Sequence, residues 1–243
     1  MKKRVALCFS GQFRNVETGF SYINENIIKP NLDNWEFKTF VHSWFDQEDV
    51  GKQLLTAKGL ATGNGETGCN DVSNDVLSLV YRLYNPDKML VEKQIDFDEK
   101  DYATRKSAFI IPKFSLSKMY STYKVCGLKR DYEVENNMLF NLVISLRFDL
   151  GIQNKVNLND FSTSSYSCSE YGVYMNVGVD ISHAIMGSQI FDQYATLIKE
   201  VDNIWRVHGL EFADERMTHK HLDLLNININ RTNKLNSYFL IRS

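Results

Sequence analysis

The stretch that decides the fold is Leu139-Phe140-Asn141-Leu142-Val143-Ile144-Ser145-Leu146-Arg147-Phe148-Asp149-Leu150. A near-continuous run of Leu, Val and Ile, too short to cross a membrane, reads as a strand covered on both faces, the habit of a central strand in a mostly parallel α/β sheet. The run stops abruptly at Arg147 and Asp149. Ligands of such sheets gather outside the carboxyl ends of the strands. Strand periodicity puts both side chains on one side of the chain. There they either grip a phosphate and a metal ion or sugar hydroxyl, or they pair with each other as structure.

Bulk properties narrow the partners. With 243 residues, 43% hydrophobic and 24% charged, the chain has enough apolar material for a sizeable core in one domain. A formal net charge of -2 gives no bulk attraction to nucleic acid or to an anionic membrane, so neither is an expected partner and phosphate binding must come from a local cluster. The four cysteines, Cys8, Cys69, Cys126 and Cys168, lie far apart without C-x-x-C spacing, which suits reduced thiols in a cytoplasmic protein. The opening Met1-Lys2-Lys3-Arg4 is followed by an apolar run too short for a signal peptide, and no stretch reaches transmembrane length.

Outward from the central run, the spacing predicts alternating strands and helices. Arg4 to Ser10 is a first buried strand feeding Ser10-Gly11-Gln12-Phe13-Arg14, a loop with a glycine and a cation, as at the start of nucleotide-binding α/β domains; the alternative is a tight turn needing only Gly11. Asn15 can cap a helix striped with Phe20, Ile23, Ile27 and Ile28 and stopped by Lys29-Pro30. Phe37 to His42 is a second strand, delivering His42, Ser43, Trp44 and Asp46 to the same edge if the sheet is parallel. His42 there either donates to a phosphate or a base or is a hydrogen-bonded structural residue. Gly51 to Asp71, with Gly59, Gly63, Gly65 and Gly68, reads as a surface loop.

Ser73 can cap a helix through Val76, Leu79, Val80 and Leu83, ended by Pro86, and Lys88 to Glu92 is a third strand. Phe97 to Lys113 is expected to be irregular, with Arg105 and Lys106 solvated. Ser115 to Asn137 is the longest helical pattern, with Ser115 or Ser117 as N-cap and Met119, Tyr123, Cys126, Leu128, Tyr132 and Val134 available for burial. Lys118, Tyr120 and Lys124 are expected on its wet face. After Asp149 come a polar loop, a strand over Tyr171 to Val177, a turn and short strand over Asp180 to Ser188, and a helix from Ile190 to Trp205. Phe212 to Leu225 is a further helix carrying Glu215, His219 and His221, without the third ligand that zinc needs. Ile227 to Asn230 and Tyr238 to Ile241 close the chain as edge strands.

Taken in order, Ser10-Gly11-Gln12-Phe13-Arg14, Val41-His42-Ser43-Trp44, the helix from Met119-Tyr120-Ser121 to Tyr132-Glu133, Val143-Ile144-x-x-Arg147-Phe148-Asp149-Leu150, Ala184-Ile185-Met186-Gly187-Ser188 and Asp214-Glu215-Arg216-x-x-x-x-His221-Leu222 cover most of the chain. Together they resemble a loosely defined group of glycosyltransferase-like proteins found in bacterial polysaccharide loci and in phage and large-virus genomes. That resemblance implies a GT-A-like, Rossmann-type α/β fold with a mixed, mostly parallel sheet flanked by helices. Residues 1–150 would form a nucleotide-binding half and 151–243 a smaller acceptor-side half. It implies a nucleotide-sugar donor, UDP- or GDP-linked, a glycan or other hydroxyl acceptor, and a cytoplasmic location, that of the host if the source is viral.

Most such enzymes carry Asp-x-Asp at the end of the central strand to hold a divalent metal against the diphosphate, whereas this chain has Arg147-Phe148-Asp149. Arg147 can neutralise the diphosphate directly, leaving Asp149 as the sole protein ligand of Mn²⁺ or Mg²⁺ or as an acceptor for the donor sugar. On this reading Ser10, Gly11, Gln12, Arg14, His42 and Arg147 bind the nucleotide diphosphate, and Asp180 or Glu215 is the base that deprotonates the acceptor. A nucleotide-binding module that has lost catalysis and a structural protein on the same scaffold are the alternatives.

Overall fold

The computed structural model describes residues 2–45, 75–107, 110–170 and 178–241. Asp46, the glycine-rich stretch 51–71, Cys69, Ser73 and the strand expected over Tyr171 to Val177 lie outside the described residues, wholly or in their larger part.

Four parallel strands, β1 (Lys3–Gln12), β2 (Trp35–Trp44), β3 (Lys88–Glu92) and β4 (Leu142–Leu146), form one side of a seven-stranded sheet in the order β3-β2-β1-β4. A short strand β5 (Leu150–Ile152) leaves the sheet. The other side is built by β6 (Ser165–Ser169), β7 (Ala184–Met186) and β8 (Asn228–Thr232) in the order β7-β6-β8; β7, hydrogen-bonded to β4, alone runs against the rest. Strand β9 (Tyr238–Leu240) pairs antiparallel with β5. The architecture is thus α/β with a mostly parallel Rossmann-type sheet, as the sequence predicts.

Helices cover both faces: α1 (Val16–Ile23), α2 (Val76–Tyr84), α3 (Lys100–Ala103), α4 (Pro112–Glu135), α5 (Ser188–Tyr194), α6 (Leu197–His208) and α7 (Asp214–Leu224). The alternation of β1 shows why. Val5, Leu7 and Phe9 pack toward α1 and α2, while Ala6 and Cys8 pack toward α4 and α5, so every position of the run is buried. The described cysteines, Cys8, Cys126 and Cys168, are buried free thiols, and burial pushes the Cys168 thiol up to about 11.

Several expectations need correction. The run from Leu139 to Leu150 is not one strand: Leu139 is exposed, β4 begins at Leu142, and the backbone turns at Phe148 and Asp149. Asn15 stands at the N-cap position in the left-handed region and does not cap; its side chain donates to the Ile241 carbonyl at 2.8 Å. Ser115 and Ser117 do not cap α4, which starts with Pro112 at its first turn and Ile111 before it, and Val134 is exposed. The polar residues 165–169, expected as loop, are β6, and the helix expected from Ile190 to Trp205 is broken at Ala195 and Thr196. The Tyr238–Leu240 strand is an edge strand as expected, in a separate two-stranded sheet with β5. Arg105 is not simply solvated: its guanidinium donates to the Leu210 and Trp205 carbonyls and sits 4.5 Å from the Trp205 ring centroid.

Candidate functional site

The carboxyl edge of β1 and β4 is where charge collects. Past the end of β4, Arg147 donates from Nε and Nη2 to the two oxygens of Asp149, each at 2.7 Å. This fork-to-carboxylate pair is partly open on the arginine side, with side-chain exposures of 30% for Arg147 and 9% for Asp149. Burial alone would raise the Asp149 carboxyl, but the Arg147 guanidinium, with Arg14 behind it, holds it below the usual range. The pairing expected of the two side chains is therefore present: they share a side and bind each other.

The turn between them is fixed by a glycine. A Cβ on Gly19 of α1 would lie 1.8 Å from the Phe148 carbonyl oxygen, so only glycine lets the helix press against this backbone. Phe148 itself is buried and stacks on Phe9 at 5.2 Å between centroids. Gly19→Ala is expected to displace the turn and destabilise the fold by about 1–3 kcal/mol, read as a melting temperature lower by roughly 2–12 °C. An unchanged melting temperature would contradict the packing described.

From β1, Gly11 takes φ +111°, a conformation that side-chain-bearing residues rarely adopt. Its N–H donates to Ser121 Oγ on α4 at 2.8 Å. Ser10 faces His42 across the β1–β2 register. His42 is fully buried between Ser121 Oγ and Glu92 Oε2, each at 2.8 Å. A carboxylate only accepts, so Nε2–H donates to Glu92, and in the neutral ring Nδ1 accepts from Ser121, whose hydroxyl also lies 3.4 Å from the His42 carbonyl. Burial lowers the His42 pKa, so the ring is neutral in this chain of bonds. This places His42 as a positioning residue for the Gly11 turn. Arg14 donates to Gln12 Oε1, which keeps both beside the same edge.

The opposite wall comes from the residues leading into β7 and from α7. Asp180 is buried; its Oδ1 accepts the Ser182 N–H at 2.8 Å, and its Oδ2 has no hydrogen-bond partner among the described residues. Burial first, then the neighbouring Asp180 carboxylate, contribute to raising the Tyr238 phenol to about 12. Glu215 is held above the usual carboxylate range by burial and by Asp214 beside it. Gly178 makes room for it, because a Cβ there would meet Glu215 Cβ at 2.6 Å. Asp180 and Glu215, far apart in sequence, act electrostatically on one common group, the Lys118 ammonium, as does Arg147.

Lys118 is what sequence reasoning missed. Expected on the wet face of α4, it instead turns in and donates to the Ile181 carbonyl at 2.8 Å. Ser121 and Asp214 were not singled out either. A signal existed: Ser115, Lys118, Ser121 and Thr122 recur at helical spacing, so α4 carries a polar stripe where an apolar one would face the sheet. Tyr120 also packs inward, stacked on Trp44 at 5.3 Å, and Lys124 lies 3.5 Å from Glu92.

A divalent ion at Asp149 needs free carboxylate oxygens, and both here are taken by Arg147. Among the described residues no three His, Cys, Asp or Glu side chains group as metal ligands, and His219 leans to Asp223 at 3.7 Å rather than joining Glu215. This donor set fits a guanidinium–carboxylate pair and does not fit a resident Mn²⁺ or Mg²⁺. No helix among the described residues is long and apolar enough to cross a membrane.

The sequence matches no protein-family model and no curated protein. Among solved structures, the chain is similar to the glycosyltransferase GlyE of Streptococcus pneumoniae TIGR4, with a TM-score of 0.42 at 11% identity over 96% of this chain and 46% of that one. The apo form of the same protein gives a TM-score of 0.42 at 11% identity, covering 94% and 45%. The chain therefore spans about half the length of these solved relatives.

Proposed function

We propose that the chain transfers a sugar from a nucleoside-diphosphate sugar, UDP- or GDP-linked, to the hydroxyl of a glycan or other acceptor. The observation that carries this is the meeting, past one sheet edge, of cations from β1 and β4 with the carboxylates Asp180, Asp214 and Glu215 from the far wall. A diphosphate leaving group needs the first set, and an acceptor hydroxyl needs a base from the second.

Residues Ser10 to Arg14 and Arg147 cradle the diphosphate, with His42 holding the Gly11 turn. Asp149 orients Arg147 through both of its oxygens. Of the two candidate bases, Asp180 has the stronger claim, because its buried Oδ2 has no hydrogen-bond partner among the described residues, whereas Glu215 is pushed toward its neutral form. Residues 151–243 supply this acceptor-side wall.

A second reading, an inactive nucleotide-sugar-binding module, is favoured by one observation, the closure of Arg147 on Asp149. Melting the protein with UDP, GDP, CDP and TDP and their sugars, with and without Mn²⁺, tests both. At ligand concentrations about 100-fold above Kd, binding stabilises the fold by about 2.7 kcal/mol. A rise with one base is expected. Donor hydrolysis by the same preparation then separates enzyme from binding module, and no shift with any nucleotide would sink both readings.

A further inference from the structure

We propose that Lys118 is a second cation for the leaving diphosphate, working with Arg147 so that two side chains do what a divalent ion would otherwise do. The inference rests on the glycosyl-transfer reading above and names the group that completes its leaving-group site.

Placement carries the argument. The β3–α4–β4 crossover joins parallel strands, so α4 runs against them and its first turns overhang the edge where β1 and β4 end. Lys118 lies one turn before Ser121, which holds the Gly11 turn, and its ammonium reaches the Ile181 carbonyl in the segment leading to β7. Lys118 thus stands between the two walls of the site. An ammonium has three donors, and among the described residues this one makes a single hydrogen bond. Among the described residues no carboxylate lies within ion-pair distance of it.

The charged groups around it are Asp214 and Glu215 from α7, Asp180 before β7 and Arg147 after β4. Asp214 is itself committed to the Ser115 hydroxyl. Enclosing an ammonium merely to hold one backbone carbonyl is costly, whereas two open donors beside Arg147 suit an incoming dianion. Burial brings the Lys118 pKa down to about 8, against the pull of Asp214. A bound diphosphate favours its charged form further.

In the transfer step the bond from the anomeric carbon to the diphosphate oxygen breaks, and its electron pair leaves with that oxygen. The acceptor oxygen forms the new bond and its proton passes to Asp180. Lys118 donates hydrogen bonds to the departing diphosphate and keeps its proton throughout.

The test compares parent, Lys118→Met and Lys118→Arg for binding of UDP, GDP, UMP and GMP by calorimetry in EDTA, from pH 6.5 to 9.5. For the parent, diphosphate affinity is expected to fall as pH rises through about 8, because the neutral amine loses its charge. Lys118→Met should bind the diphosphate roughly 10- to 100-fold more weakly, lose that pH limb and keep its monophosphate affinity. Lys118→Arg should recover most of the loss without the limb. A diphosphate affinity and pH profile unchanged in a folded Lys118→Met protein overturns the inference and leaves the glycosyl-transfer reading standing. If that variant does not fold, Lys118→Arg decides alone, and a parent-like pH limb in it overturns the inference. Failure of the parent to bind any nucleotide overturns both.

Discussion

Arg147→Ala is expected to lower kcat/KM for sugar transfer by about 100-fold or more, an effect of about 2.7 kcal/mol or more on the transition state. The negative charge that develops on a departing diphosphate must be met in place, and Arg147 is the partly exposed cation at the end of β4. Its loss also strands the buried Asp149 carboxylate without the two bonds that Arg147 supplies. Arg147→Lys should recover only part of the activity, since an ammonium cannot present the planar fork. Asp149→Asn should weaken donor binding less, because Arg147 remains. Binding and turnover indistinguishable from the parent in both Arg147→Ala and Asp149→Asn would end the assignment of this pair to the site. The same pair predicts a pH effect. A carboxyl held below its unfolded value stabilises the fold above the ordinary carboxylate range, and that contribution disappears as pH falls through the lowered pKa. Acid titrations of stability should therefore be flatter in Arg147→Ala.

The largest stability effect should come from a residue outside the site. Lys129→Ala is expected to cost about 3–5 kcal/mol, read as a clear drop in the denaturant midpoint. Lys129 is fully buried between α4 and α5, 2.8 Å from both Glu133 and Asp192. Ser188 at the start of α5 bonds to Lys129 and Glu133, and Glu133 also accepts the Phe140 N–H at 2.9 Å. Removing the ammonium leaves the buried Glu133 carboxylate and the partly exposed Asp192 carboxylate facing each other with no cation between them. The triple change Lys129→Met, Glu133→Leu, Asp192→Leu should be far less destabilising than Lys129→Ala, because no unpaired charge remains. Equal costs for the two proteins would show that packing, and not charge, sets the effect.

The parts of the fold that were legible share a physical origin. The 76–84 helix and the Lys88–Glu92 strand follow from apolar spacing punctuated by Asn85, which ends the helix in the left-handed region, and by Pro86. Apolar alternation hides β6, where Ser165, Ser167 and Ser169 are all buried: small hydroxyl residues occupy an interior strand, and composition marks them as loop. The break at Thr196 is hidden because the apolar spacing continues through it, while the hydroxyl caps back onto the Gln193 carbonyl. At the site, Arg147, Asp149 and Gly11 stood out because each interrupts an apolar run. Lys118 did not, since a charge on a helix usually faces water, and its inward direction depends on tertiary contacts with α7 and the β7 approach.

The bonds that tie Ile241 to Asn15 and to Asp149 bear on the order of folding. The Ile241 N–H donates to the Asp149 carbonyl at 2.8 Å, and Asn15 meets the Ile241 carbonyl across a separation of 226 residues. Contacts that close so long a loop are entropically the dearest and form last, after β1 has already paired with β2. The turn bearing Arg147 and Asp149 is therefore secured only when the most distant segments have met, which couples the geometry of this pair to completion of the native topology.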